Sequence, residues 1–522
     1  MASLKINYAL LSVVILLIVF TVVGFYIPLV LGEDPGTGFA IWNSMRNGAA
    51  FNTFLTPSPN NLLQDIALFV TWWTPGQYWI PGTFSQLFGT ALGTAGVWVT
   101  LIFSAVGLWG WYQIYKILGF RSEIVALSIF LIASSRLFTI NFLNYTGGEV
   151  LIFGGQPWVI WWYLKYKHRF VIFLIGLVVL SLLCFFFKSA HTIGLAALCI
   201  CGGLSYLRIL TISRKFKNPY FVVCLTLGLG TLLYLFITNF LFLTKGTNPS
   251  SSISQPFRFN VDSLEILTYP FNQWLNFSDI YLQLLKKDII SPNAVLYWGM
   301  LVGCLAVQFW IVKNNSLQEA KMLFWGLYVG YFAIFLVVYN KGADISIEYR
   351  HVKTVAYAFL PLLVNTMMQS AWYKRVLLTA VLLLNSGYGI ASYVLKKQEI
   401  NKHYVTGIAG FKLREATHED ISYIQEIDQP QNILWFTMSS LSVESQKARK
   451  IITGFDFNLS RAGGFVFDRY HGKGPKIYAC FHQLYGRDPA VQLSGMFDQY
   501  EFKKVKQTSN YIFFEGEPST KK

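Results

Sequence analysis

The chain has 522 residues, of which 54% are hydrophobic, 17% aromatic and only 13% charged. A soluble domain carries about 25% charged residues, so the composition excludes an ordinary soluble globular protein. The 42 Lys and Arg against 26 Asp and Glu leave a net charge of +16. Such an excess otherwise suggests nucleic acid. In so apolar a chain it is first a topology signal, because basic loops gather on the cytoplasmic side of a membrane. The six cysteines are scattered and make no disulfide framework.

A bilayer-spanning helix needs about 20 mostly apolar residues. Eleven segments qualify: 7–31, 88–115, 122–142, 149–164, 170–187, 190–207, 219–243, 294–312, 322–339, 354–371 and 376–394. With the N-terminus in the cytoplasm, the inner loops hold fourteen Lys and Arg against two acids, Glu123 and Glu319. That asymmetry sets the orientation N-in, and eleven spans put the C-terminus outside. Apolar periodicity fades near residue 395. Residues 400–522 hold sixteen basic and thirteen acidic residues, an ordinary globular balance. Short β-prone runs there (Ile433–Met438, Phe465–Phe467, Ile477–Phe481, Tyr511–Phe514) alternate with Gly, Asp and Pro turns. The expected architecture is an α-helical polytopic membrane domain over 1–395, with interfacial helices in its first outer loop. A small α+β extracytoplasmic domain over 400–522 completes it.

The inner loops are too short to carry chemistry, whereas the connections 32–87, 244–293 and 340–353 and the tail all lie outside. The first outer loop begins Gly32-Glu33-Asp34-Pro35 at the end of the first span. A carboxylate at a membrane boundary is a candidate general base toward a hydroxyl; Asp before Pro equally suits the start of a helix. Phe39, Trp42, Met45 and Ala49 then make an apolar stripe that predicts a helix in the membrane interface. Thr71 to Gly82 follows, rich in Trp, Pro and Tyr. It reads either as a headgroup-level aromatic belt or as a wall, with Tyr78 and Trp79, for a lipid or sugar ligand.

Cations complete the outer face. Lys188 stands between two apolar spans with almost no loop, and Arg350, His351 and Lys353 crowd the start of the tenth span. Such groups either snorkel to headgroups or bind an anion such as phosphate; Glu348 is a candidate ion-pair partner for Arg350 or Lys353. Carboxylates at the surface with cations set deeper suit removal of an acceptor proton and stabilisation of a departing lipid phosphate. No P-loop and no strand-bound G-x-G-x-x-G is present, which favours a lipid-linked over a nucleotide donor.

At these residues the chain resembles the C-type glycosyltransferase superfamily, most closely the branch of bacterial aminoarabinose transferases and protein O-mannosyltransferases. Four features carry the likeness in order: Glu33-Asp34 after the first span, and Thr74-Pro75-Gly76-Gln77-Tyr78-Trp79 leading to Phe88-Gly89. Phe187-Lys188-Ser189-Ala190 ends the fifth span, and Arg350-His351-Val352-Lys353 runs to Leu360-Pro361. They stand at the places of the family's "KPPLYYW…FG", "TKGP" and "RY…LP" stretches, with Pro75-Gly76 replacing Lys-Pro-Pro and Ser189-Ala190 replacing Gly-Pro. The likeness spans residues 1–395. It implies Asp34 or Glu33 as the catalytic carboxylate, and Lys188 with Arg350 as ligands of the lipid phosphate.

The reading that results is an inverting transferase moving a sugar from a polyprenyl-phosphate donor to a glycan, lipid or protein acceptor. It is placed in a bacterial inner membrane, with no nucleic-acid partner. Glu149, Asp65 and His191 are candidate helpers. No cofactor is required, since cationic side chains can hold the phosphate; a divalent metal is the variant that oligosaccharyltransferase relatives use. A flippase of lipid-linked sugars or a polysaccharide polymerase is the alternative. For a flippase, Gly154-Gly155-Gln156-Pro157 is the candidate break in the fourth span.

Overall fold

The computed structural model describes residues 8–58, 61–69, 74–166, 169–191, 193–198, 256–291, 293–342, 347–452, 473–483, 488–497 and 499–519. The seventh expected span, just over half of the sixth, Thr71–Trp73, about a quarter of the loop 244–293 and Phe465–Phe467 lie outside them.

The chain enters through α1 (Tyr8–Tyr26) and emerges as β1 (Val30–Leu31) and α2 (Glu33–Arg46). A hairpin of β2 (Thr53–Ser58) and β3 (Asn61–Phe69) follows, then α3 (Gly76–Phe88) and α4 (Leu92–Ile117). Next come α5 (Ser122–Ser134), α6 (Arg136–Thr139), β4 (Asn144–Tyr145), α7 (Gly148–Tyr166) and α8 (Phe170–Phe187). The later helices are α9 (Tyr269–Leu275), α10 (Phe277–Lys286), α11 (Ala294–Asn314), α12 (Gln318–Asn340), α13 (Lys353–Gln369) and α14 (Trp372–His403). Among the described residues, α1, α4, α11, α12 and α14 are long and apolar enough to cross a bilayer, and α5 with 136–142 makes a sixth candidate. That span is bent by 55°. The Ser134 and Ser135 hydroxyls bond back to the carbonyls of Phe130 and Ile132, each at 2.8 Å, and Ser135 is extended. Such serine pairs open the helical ladder and kink it.

The fourth expected span is not broken. Residues 148–166 form one continuous helix through Pro157. Glycines of both helices serve close packing of α7 on α4 instead: a Cβ on Gly110 of α4 would lie 2.7 Å from Pro157, and one on Gly154 of α7 would meet Phe103. Small residues let membrane helices approach closely.

Beyond α14 come β5 (Val405–Thr406), β6 (Lys412–Leu413), α15 (His418–Ile427), β7 (Ile433–Phe436), β8 (Arg449–Ile452), β9 (Ile477–His482), α16 (Pro489–Met496), β10 (Tyr500–Gln507) and β11 (Tyr511–Pro518). The last five strands form one sheet, order β10-β11-β9-β7-β8, parallel at β7–β8 and β7–β9 and antiparallel elsewhere. A second sheet, order β4-β1-β6-β5, stitches the exit of α1 to the segment before α7 and to the start of the tail. The tail therefore shares a core with the first outer loop: Phe39, Trp42 and Tyr78 are buried in one cluster with Phe411, Leu441 and Phe513. Gly93 is pressed onto the carbonyl of Gly410, where no Cβ would fit.

This packing corrects the sequence reading of the first outer loop. Helix α2 starts at Glu33, so both acids lie in its first turn, where the helix dipole favours negative charge. Phe39 and Trp42 are 1% and 8% exposed; they face protein, not a membrane interface. The β2–β3 hairpin separates α2 from α3 in this loop.

Candidate active site

The N-terminus of α7 and the C-terminus of α8 meet at one pocket. Gly147 turns the chain into α7 with φ of +52°, and the Gly148 N–H reaches the Gln77 side chain at 3.4 Å. Glu149 lies in the first turn of α7. Lys188 leaves α8 in extended conformation and ion-pairs with Glu149. A Cβ on Gly148 would approach the Phe187 carbonyl at 3.0 Å and Lys188 at 3.1 Å; glycine there lets the lysine lie across the start of α7.

The opposite wall comes from the 3-10 turn Tyr349–Val352 and the start of α13. Arg350, His351 and Lys353 line the same pocket as Glu149 and Lys188. Its enclosed space is about 70 Å³, and Trp111, Phe153 and Tyr357 form apolar walls. Gln156 donates to Tyr331 Oη at 2.6 Å and accepts from Thr354 Oγ1 at 2.7 Å, so its amide is fixed. Arg350 pairs with Glu348 at 2.8 Å. Burial pushes the His351 imidazole down to about 4, so it is neutral at pH 7. The cation set is therefore Lys188, Arg350 and Lys353; burial holds the Lys353 ammonium below its usual range, and the Glu149 carboxylate draws it back.

Glu33 lines a different and larger cavity of about 1010 Å³, with Arg136, Tyr145, Lys287, Lys396, Arg414 and Ser440. Its carboxylate accepts from Ser439 Oγ at 2.8 Å, from Ser440 Oγ at 2.5 Å and from the Ser440 N–H at 3.2 Å. Both serines belong to the 3-10 segment Ser439–Glu444 in the tail. Asp34, the next residue on α2, is exposed. Arg136 pairs with Asp279. The pairing of β1 with β4 brings the two cavities to one end of the helical bundle: Glu33 follows β1, and Glu149 follows β4.

The remaining candidates fall elsewhere. Tyr78 is 1% exposed, bonded to Asn52 and packed on Gly38; it is a core residue, not a ligand wall. Trp79 is half-exposed and edge-on to Phe186, 5.8 Å between ring centres. Asp65, on the β2–β3 hairpin, binds Arg449 of the tail at 2.8 Å. His191 is fully buried. Among the described residues no three of His, Cys, Asp and Glu come together as a metal site. Ser439, Ser440 and Arg136 escape the sequence reading, since serines in a β-prone run and one arginine inside a span carry no local signature.

The chain superposes on the crystal structure of ArnT from Cupriavidus metallidurans bound to undecaprenyl phosphate with a TM-score of 0.59, at 12% identity over 98% of both chains. The apo state of that protein gives 0.58, at 13% identity and 98% of both. The Archaeoglobus fulgidus oligosaccharyltransferase in its apo form gives 0.49, at 10% identity, over 98% of this chain and 75% of that one. No family model and no curated protein matches the chain. Similarity at this identity establishes the fold: the chain is an integral membrane protein with the C-type glycosyltransferase fold.

Proposed function

We propose that the protein transfers a sugar from a polyprenyl-phosphate donor to a hydroxyl of an extracytoplasmic glycan, lipid or protein, with inversion. It would do so in a bacterial inner membrane, with the N-terminus in the cytoplasm. The observation that carries the reading is the convergence of Lys188, Arg350 and Lys353 on one pocket with apolar walls. The undecaprenyl phosphate bound by the structurally similar ArnT supports a donor of that class.

In this reaction the acceptor O–H gives its proton to a carboxylate of the Glu33-Asp34 pair. The acceptor oxygen bonds the anomeric carbon, whose bond to the phosphate oxygen breaks with its electron pair. The phosphate leaves with one more negative charge than the donor carried. Lys188, Arg350 and Lys353 stabilise that added charge, which grows as the bond breaks. The Ser439 and Ser440 hydrogen bonds orient Glu33, and the exposed Asp34 is the member of the pair better placed to meet an acceptor from solvent.

The test is transfer of labelled sugar from a panel of polyprenyl-phosphate donors by the purified chain. Loss of transfer in the Glu33→Gln/Asp34→Asn double variant is expected. Survival of transfer in that variant overturns the carboxylate role.

A further inference from the structure

The cationic pocket carries its own anion. Glu149 is fixed on the first turn of α7, its side chain 11% exposed, and ion-paired to Lys188. It also feels Lys353 across the pocket. Arg350, on the far wall, is answered by Glu348. The two carboxylates thus offset two of the three cations, His351 is neutral, and a single positive charge remains.

We propose that Glu149 is a specificity-determining residue that tunes the pocket to a lipid phosphodiester, with one negative charge, against a lipid diphosphate. The inference rests on the functional reading above and deepens it. A sugar linked through one phosphate brings one negative charge, which the surplus cation balances. A diphosphate brings at least one more, and the shielded Glu149 carboxylate repels it where water screens little. Glu149 also shares Lys188 with the incoming phosphate, so a ligand must compete for that ammonium. Discrimination here comes from a built-in repulsive group, which rejects the wrong ligand more than it attracts the right one.

The experiment uses the purified full chain and two lipids of equal chain length, a polyprenyl methyl phosphodiester and a polyprenyl diphosphate. Binding is read from quenching of tryptophan fluorescence, to which Trp111 in the pocket wall contributes, or by calorimetry. The wild type is expected to prefer the phosphodiester. Glu149→Gln is expected to tighten diphosphate binding about tenfold or more and phosphodiester binding less than about threefold. Since Glu149→Gln leaves Lys188 unbalanced, Lys188→Gln is compared with Glu149→Gln/Lys188→Gln as well. The double variant is expected to gain diphosphate affinity over the single one. Equal changes for the two lipids would reduce Glu149 to a structural partner of Lys188 and overturn the proposal. If Lys188→Gln weakens neither lipid, the pocket binds no lipid phosphate, and the functional reading falls with it.

Discussion

Ser440 donates its hydroxyl to the Glu33 carboxylate at 2.5 Å although 407 positions separate them in the chain. With Ser439 it holds both carboxylate oxygens, so the tail completes the surroundings of an acid that stands at the end of the first span. Hydrogen bonds to a charged group contribute about 1.5–3 kcal/mol each when shielded; at this half-exposed position water replaces part of that. The double variant Ser439→Ala/Ser440→Ala is expected to lose about 2 kcal/mol of stability, read as a lower melting temperature in detergent. Transfer is expected to fall about tenfold with lipid-phosphate affinity unchanged, because the cations lie in the other pocket. Equal loss of both would place the serines in general packing.

Gly36 gives a sharper test of the same junction. A Cβ there would lie 2.6 Å from Ser440 Cα and 2.7 Å from its nitrogen. Both neighbours are backbone and cannot rotate away. Gly36→Ala is expected to destabilise by about 2–3 kcal/mol, in the range of overpacked cores, and to expose the tail to limited proteolysis. Gly299, on α11, has nothing within 4 Å of the place an alanine methyl would take, and Gly299→Ala is expected to leave the melting temperature unchanged or raised.

Glu444 makes stability depend on pH. Burial pushes its carboxyl up from 4.5 to about 7, against the stabilising N–H groups of Ile408 and Ala409. The folded chain therefore holds this proton more tightly than the unfolded chain does. Stability from this group is full below about pH 4.5 and declines as pH rises to about 7, by on the order of 3 kcal/mol. Melting temperatures of the wild type and Glu444→Gln across that window check it: the variant's profile is expected to be flatter. Parallel profiles would show that Glu444 ionises without penalty.

Asp65 belongs to structure. Arg449 reaches it at 2.8 Å and also donates to the Leu62 carbonyl at 2.6 Å, clamping the hairpin to β8. Asp65→Asn is expected to cost about 1 kcal/mol or less, as for half-exposed ion pairs, and to leave sugar transfer intact. A large loss of transfer would return Asp65 to the catalytic candidates.

Hydropathy made the helical bundle legible: the runs 7–31, 294–312 and 322–339 correspond to α1, α11 and α12 within a few residues. Lys188, Arg350 and Lys353 were legible as cations at the ends of apolar runs, but the pairing of Glu149 with Lys188 was not. The surroundings of Glu33 did not follow. The Phe39–Trp42 stripe reveals that α2 has an apolar face, but periodicity is silent on whether lipid or protein covers it. Likewise β10, with Lys503, Lys504 and Lys506 in Tyr500–Gln507, is held by pairing with β11, not by its own composition. Contacts between residues 33 and 440, or 65 and 449, join distant segments and leave no trace in either one alone.

The sheet that joins residues 30–31, 144–145 and 412–413 also fixes an order of biogenesis. Its central strand β1 is made almost first, yet its neighbour β6 is synthesised only after α14. Non-local strand pairing waits for both partners. That end of the bundle thus stays unfinished until the last part of the chain has been made. A chain cut short before residue 439 would form its helices with Glu33 still lacking the serines that hold it, so this corner of the fold depends on synthesis running nearly to its end.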